Sequence, residues 1–180
     1  MVPFSRASAV DILADSDGNR VEQRQLDTRT LKAPESLGYL YDYWRFLRGS
    51  TPCRVTDVDT FQVMRSGAVG RLHVVDVTSN DPDDFRYEIF AYALPTSRIE
   101  RPKSFPIKIY ADNAIRNYNT VRLTAVPRLQ RIHARLSTVR YHYTRLILPF
   151  LDGNRNVSHL IVAIRREAGD GMRFDLRERP

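Results

Sequence analysis

The sequence predicts an α+β domain, a five-stranded antiparallel sheet with helices on one face and an N-terminal helix packed on the other. Three observations carry that expectation. Two strand-like runs, residues 71–78 and 85–93, flank the turn Ser79-Asn80-Asp81-Pro82-Asp83-Asp84, made of residues that favour chain reversal. Three more runs follow Pro127, over 129–136, 139–150 and 157–166, the last two joined by Asp152-Gly153-Asn154. The final run is apolar at both parities, with Leu160, Val162 and Ile164 on one side and Val157, Ile161 and Ala163 on the other. Such a strand is central and covered twice.

Residues 1–32 mix Asp, Ser, Gln, Arg and Gly with few large apolar groups and read as a flexible arm. Ala33-Pro34-Glu35-Ser36 then marks a helix start. Leu37, Leu40, Tyr41, Trp44 and Leu47 follow at helical spacing, and Arg48-Gly49 closes the segment. A second stripe of Tyr39, Tyr43 and Phe46 leaves that helix apolar on two faces. Tyr39, Tyr43, Trp44 and Phe46 are therefore expected at a contact with a second copy or another protein. Thr56-Asp57-Val58-Asp59 offers caps for a short helix reaching Arg65. Phe85, Tyr87, Ile89 and Ala91 alternate with Arg86, Glu88, Phe90 and Tyr92, as an antiparallel strand does. Three prolines make 95–106 a loop, and 107–124 keeps the spacing of one or two helices through Ile109, Tyr110, Ala114, Tyr118 and Val121. The domain is expected over 33–168, followed by a tail over 169–180.

Composition narrows the setting. Cys53 is the single cysteine, so no disulfide forms within the chain and a reducing compartment is expected. The N-terminus has no apolar run of signal-peptide length, and no stretch is long enough to span a bilayer, so the expected location is the cytoplasm, with no membrane partner. The formal charge is +7 and lies between Arg128 and Arg166, where Asp152 is the only acid. Clustered arginines attract phosphate or carboxylate, but cations also guard strands against aggregation.

Several segments in order carry a resemblance. Leu40-Tyr41-Asp42-Tyr43-Trp44 with Leu47-Arg48-Gly49, Asp57-Val58-Asp59, Phe85-Arg86-Tyr87, then Tyr118, Val121 and Pro127, and finally Tyr143-Thr144-Arg145-Leu146-Ile147-Leu148-Pro149-Phe150 before Asp152-Gly153, resemble the short bacterial single-domain PAS proteins of the PAS_5 type. The stretch from Phe90 to Pro95 departs from that family by lacking glycine. The resemblance implies a PAS-like fold and signal sensing or protein contact, without catalysis.

Chemistry-bearing patterns are sparse. His73, His133, His142 and His159 all fall in strands, none on the helix that would supply a haem ligand. Cys53 precedes the first strand, where it cannot serve a photoactive flavin, so no cofactor is expected. His133 and His142 face one another across a hairpin, but two imidazoles do not make a structural zinc site. No nucleophile elbow, metalloprotease helix or phosphate-cradling glycine loop is present. Tyr87, Ile89, Tyr110, Ile115, Tyr118, Ile132 and Ala134 are the expected lining of an apolar cavity with a few hydroxyls, the usual make-up of a small-molecule site; an ordinary filled core has the same composition. Arg86 and Arg145 are expected to pair with Asp57, Asp59 or Glu88. The expected function is a non-enzymatic sensory or regulatory domain, a homodimer that binds a small apolar ligand or a signalling protein. The alternative is binding of anionic partners, nucleic acid included, through residues 128–166, although no recognisable nucleic-acid motif is present.

Overall fold

The computed structural model describes residues 10–32, 35–49, 53–67, 72–89, 101–105, 107–137 and 139–167. Its strands are β1 (Val10–Ala14), β2 (Arg20–Leu26), β3 (Leu72–Asp76), β4 (Arg86–Ile89), β5 (Arg128–Leu136), β6 (Val139–Leu151) and β7 (Val157–Arg166). The helices are α1 (Ser36–Gly49), α2 (Thr60–Arg65) and α3 (Lys108–Thr124). All strands join one sheet in the order β1-β2-β5-β6-β7-β3-β4, antiparallel at every step. The chain is thus α+β, with the five expected strands contiguous as β5-β6-β7-β3-β4.

The sheet has seven strands rather than five, and the extra two come from the segment read as a flexible arm. Hydrophobic alternation does not announce β2, because its inward positions are Val21, Gln23 and Gln25, with Arg20, Glu22 and Arg24 facing the other way. Its backbone nevertheless pairs with β5 from Arg20–Arg135 to Leu26–Leu129. The β1–β2 turn is held by Asp15, whose carboxylate accepts from the backbone N–H of Asp17 and Asn19 and from Asn19 Nδ2. Gly18 takes the left-handed conformation there, at φ 78°, which a side chain would resist. Residues 1–9 and the tail 169–180 lie outside the described residues, as do residues 90–93 of the expected second strand.

Alternate residues of the central strands sort onto two layers. Val74, Leu146, Leu148, Phe150, Ile161 and Ala163 meet Leu37, Leu40 and Trp44 of α1. Val75, Ile147, Leu160 and Val162 meet Ala114, Tyr118 and Val121 of α3. The two helices therefore cover opposite faces, and β7 is buried from both sides. Val157 joins the α3 layer rather than that of Ile161, because a register shift at Phe150/Leu151 breaks the alternation before it.

Trp44 Nε1 donates to the carbonyl oxygen of Pro149 at 2.9 Å. Pairing of β5 with β6 ends at Arg128–Ile147, so Pro149 lies past the end of β5. In an antiparallel ladder a residue's N–H and C=O point the same way. The proline's missing donor therefore faces an edge without a strand, and α1 takes up its carbonyl.

Candidate functional site

The layer between α3 and the sheet is apolar at both ends and polar in the middle. One end holds Val75, Val77, Phe85, Leu160 and Val162, and the other Val21, Ile132, Ala134 and Leu136. Between them, β2, β5 and β6 point Gln23, Gln130 and Arg145 towards α3, which presents Asn113 and Asn117 one turn apart on its buried face. All five are buried, and Arg145 is only 3 % exposed.

Arg145 Nε and Nη2 donate to Gln130 Oε1 at 3.1 and 2.8 Å, and Nη2 reaches Asn113 Oδ1 at 3.3 Å and Gln23 Oε1 at 3.5 Å. Gln23 Oε1 also accepts from Asn113 Nδ2 and Asn117 Nδ2, at 3.0 and 2.7 Å. Asn117 Oδ1 receives three donors: Gln130 Nε2 at 2.6 Å, Arg128 Nη1 at 2.9 Å and Gln23 Nε2 at 3.2 Å. Two guanidinium groups thus converge on neutral amides. Burial and the charge of Arg145 both push the Arg128 pKa down. Asp11, the carboxylate that acts on Arg128 in the opposite sense, is engaged by Arg116 at the surface. Among the described residues, no carboxylate pairs with Arg145.

Phenols surround this core. Tyr110 and Tyr143 share a hydrogen bond of 2.8 Å between hydroxyls, Tyr87 and Tyr118 share another, and the Tyr118 ring lies 6.0 Å from Arg145 Cζ. Burial raises the pKa of Tyr87, Tyr110 and Tyr118, against a smaller opposing effect of the Arg145 charge, so all three stay protonated. The His73 ring lies tilted against Tyr87, centroids 5.5 Å apart, and burial, aided by Arg145, lowers its pKa to about 4. It is a neutral imidazole at physiological pH.

The residues expected to line a cavity are only partly brought together. Tyr87 and Tyr118 pack at one end, and Tyr110, Ile132 and Ala134 at the other. Ile115 is buried on α3 but belongs to neither group. Ile89 is 56 % exposed and does not line the layer. A bulge in the β3–β4 ladder pairs Tyr87 with Val75 but Ile89 with Val74, so the two-residue alternation fails between them. The predicted lining missed Gln23, Asn113, Asn117, Gln130 and Arg145. Two asparagines four residues apart within an apolar helical stripe were the signal for them, because amides on a buried face require partners.

Arg145 does not pair with Asp57, Asp59 or Glu88. Asp57 accepts from the Arg54 backbone, Asp59 caps α2 at the Phe61 N–H, and Glu88 meets His159. The α1 expectation also changes. Trp44 is 3 % exposed and belongs to the core. Tyr39 hydrogen-bonds Gln62, and the Tyr43 hydroxyl accepts from the Asp59 N–H, because α2 and its cap lie against that stripe. Of the four aromatics, Phe46 alone stands free, 73 % exposed. Cys53 is buried, and burial raises its thiol pKa to about 11. No group of three metal-ligating side chains occurs among the described residues, nor is any helix there long and apolar enough to cross a membrane.

The arginine-rich stretch is split by the sheet. Arg128 and Arg145 face α3, whereas Arg131, Arg135 and Arg140 are exposed on the opposite face, beyond the cover of α1. No protein-family model, curated protein or solved structure matches the chain.

Proposed function

We propose that the chain is a non-enzymatic PAS-type sensory or regulatory domain that holds a small molecule between α3 and the sheet and passes its presence to a signalling partner. The observation that carries this reading is the donor-rich polar centre of that layer, set across β2, β5 and β6 of one antiparallel sheet whose two faces carry α1 and α3. Filling the same space with leucine would avoid the cost of burying a guanidinium and four amides, so a purely structural role is a poor account of it. Binding rather than turnover fits the groups present. Amides and phenols held neutral exchange no protons, and an imidazole with a pKa of about 4 is a weak base at neutral pH. Native mass spectrometry of the protein taken from cells tests the reading. A co-purifying small molecule, released on denaturation and without a haem or flavin spectrum, is expected; an empty chain from every source would overturn it.

A second reading, binding of polyanions such as nucleic acid, is favoured by one observation on the open face. Arg135 sits directly opposite both Arg20 and Arg140, and Arg24 opposite Arg131, with the His133 and His142 rings tilted against each other, centroids 4.7 Å apart, between these rows. Arg20 is paired with Glu22 and Arg131 with Glu167, which leaves Arg135 and Arg140 as a facing pair with no carboxylate on either among the described residues, and like charges directly opposite are destabilising. Single-stranded oligonucleotide binding that weakens steeply with salt, and further in Arg135→Ser/Arg140→Ser, is the expected result. Salt-insensitive binding or none removes this reading.

A further inference from the structure

The polar centre under α3 is rich in donors and carries an unbalanced positive charge. A guanidinium brings five N–H donors and each carboxamide two, whereas each amide oxygen offers two lone pairs. Arg145, Gln23, Gln130, Asn113 and Asn117 together therefore carry more donors than their four amide oxygens can accept. Asn117 Nδ2 also donates to the Asn113 backbone carbonyl at 2.7 Å, and among the described residues no buried donor of the cluster is left without a partner. The crowding is visible, since Asn117 Oδ1 and Gln23 Oε1 each take three donors. Exchanging O and N on any of these amides leaves the totals unchanged. The charge is equally one-sided, with Arg145 fully inside, Arg128 half-inside, and no carboxylate on either among the described residues. An acceptor-only, negatively charged group would balance that charge and accept from these donors.

We propose that the molecule held under α3 is a small organic acid, its carboxylate on Arg145 and its apolar body among Ile132, Ala134 and the surrounding tyrosine rings. This rests on the reading of that layer as a ligand site. A carboxylate matches the planar fork of a guanidinium in two parallel hydrogen bonds. Gln23 and Gln130, which now lend their oxygens to Arg145, carry Nε2 donors that turn onto the incoming oxygens. Arg128, hydrogen-bonded to Asn117 and only half-buried, marks the side on which the cluster approaches solvent.

The full chain is titrated with benzoate, octanoate, benzamide, octanamide and inorganic phosphate, following thermal stability and heat of binding. At least one of the two acids is expected to bind about tenfold or more tightly than its amide, the worth of one charge-assisted hydrogen bond. Arg145→Gln is expected to bind acid and amide alike. Gln130→Glu places a carboxylate beside Arg145 and keeps the proposal testable if Arg145→Gln does not fold. It is expected to melt higher than the ligand-free wild type and to lose the response to acid. Equal affinity for acid and amide, binding of phosphate alone, no binding of either acid, or wild-type acid affinity in Gln130→Glu overturns the carboxylate assignment. A neutral molecule carried by protein from cells would overturn it too, while leaving the ligand site itself in place.

Discussion

A guanidinium among neutral amides keeps its charge but loses the water that best solvates it, and the amides repay that loss only in part. Arg145 is in that position, with every acceptor it touches uncharged. Truncating a buried side chain ordinarily lowers stability by about 2–5 kcal/mol. Arg145→Met is expected to depart from that pattern: in urea its unfolding midpoint should equal or exceed that of the ligand-free wild type. A drop of the ordinary size would mean that the amides fully compensate the charge. His73 gives a pH signature of the same interior. Its folded pKa of about 4 lies below the ordinary histidine value of 6.5, so between these values the unfolded chain binds the extra proton. Stability is whole above pH 6.5 and falls progressively as the pH drops towards 4, by up to about 3 kcal/mol. Melting curves from pH 7.5 to 4.5 should therefore be markedly less pH-dependent in His73→Phe than in the wild type.

Elements are held here by single polar anchors as well as by packing. α1 docks through Leu37, Leu40 and Trp44, and the indole N–H also satisfies the Pro149 carbonyl. Trp44→Phe removes the donor and part of the ring, leaving that buried oxygen without its partner. A loss of about 2–4 kcal/mol in chemical denaturation is expected. A loss below about 0.5 kcal/mol would show that the carbonyl finds water instead. β2 joins the sheet on different terms, since its inward Gln23 is a member of the amide cluster rather than of an apolar core.

Across the whole molecule, two surfaces among the described residues bear on partners. The exposed arginine rows occupy the open end of one face, and Phe46 projects from α1 on the covered end. Pairing of two copies through α1 would have to centre on Phe46, because Tyr39, Tyr43 and Trp44 are engaged within the chain. Sedimentation of wild type and Phe46→Ser tests this: association at high concentration that the substitution abolishes is the expected outcome for an α1 dimer, and a monomeric wild type excludes it.

The sequence by itself determined the elements whose burial is hydrophobic. The repeated apolar spacing from Leu37 to Leu47, the apolar stripe of α3 and the two-sided apolarity of β7 all follow from a side chain's need to leave water, and that need is written in residue type and period. The turn at Asp152 was equally legible, because Asp and Asn bond their own backbone locally. Only the tertiary structure decided the rest. Strands β1 and β2, the amide cluster and the isolation of Arg145 depend on which polar groups meet across distant strands. A glutamine that faces water and one that faces Asn117 look alike until the chain has folded. The loss of Ile89 from the site has the same origin: one bulge in a ladder reverses which face a residue serves, and no local pattern records it.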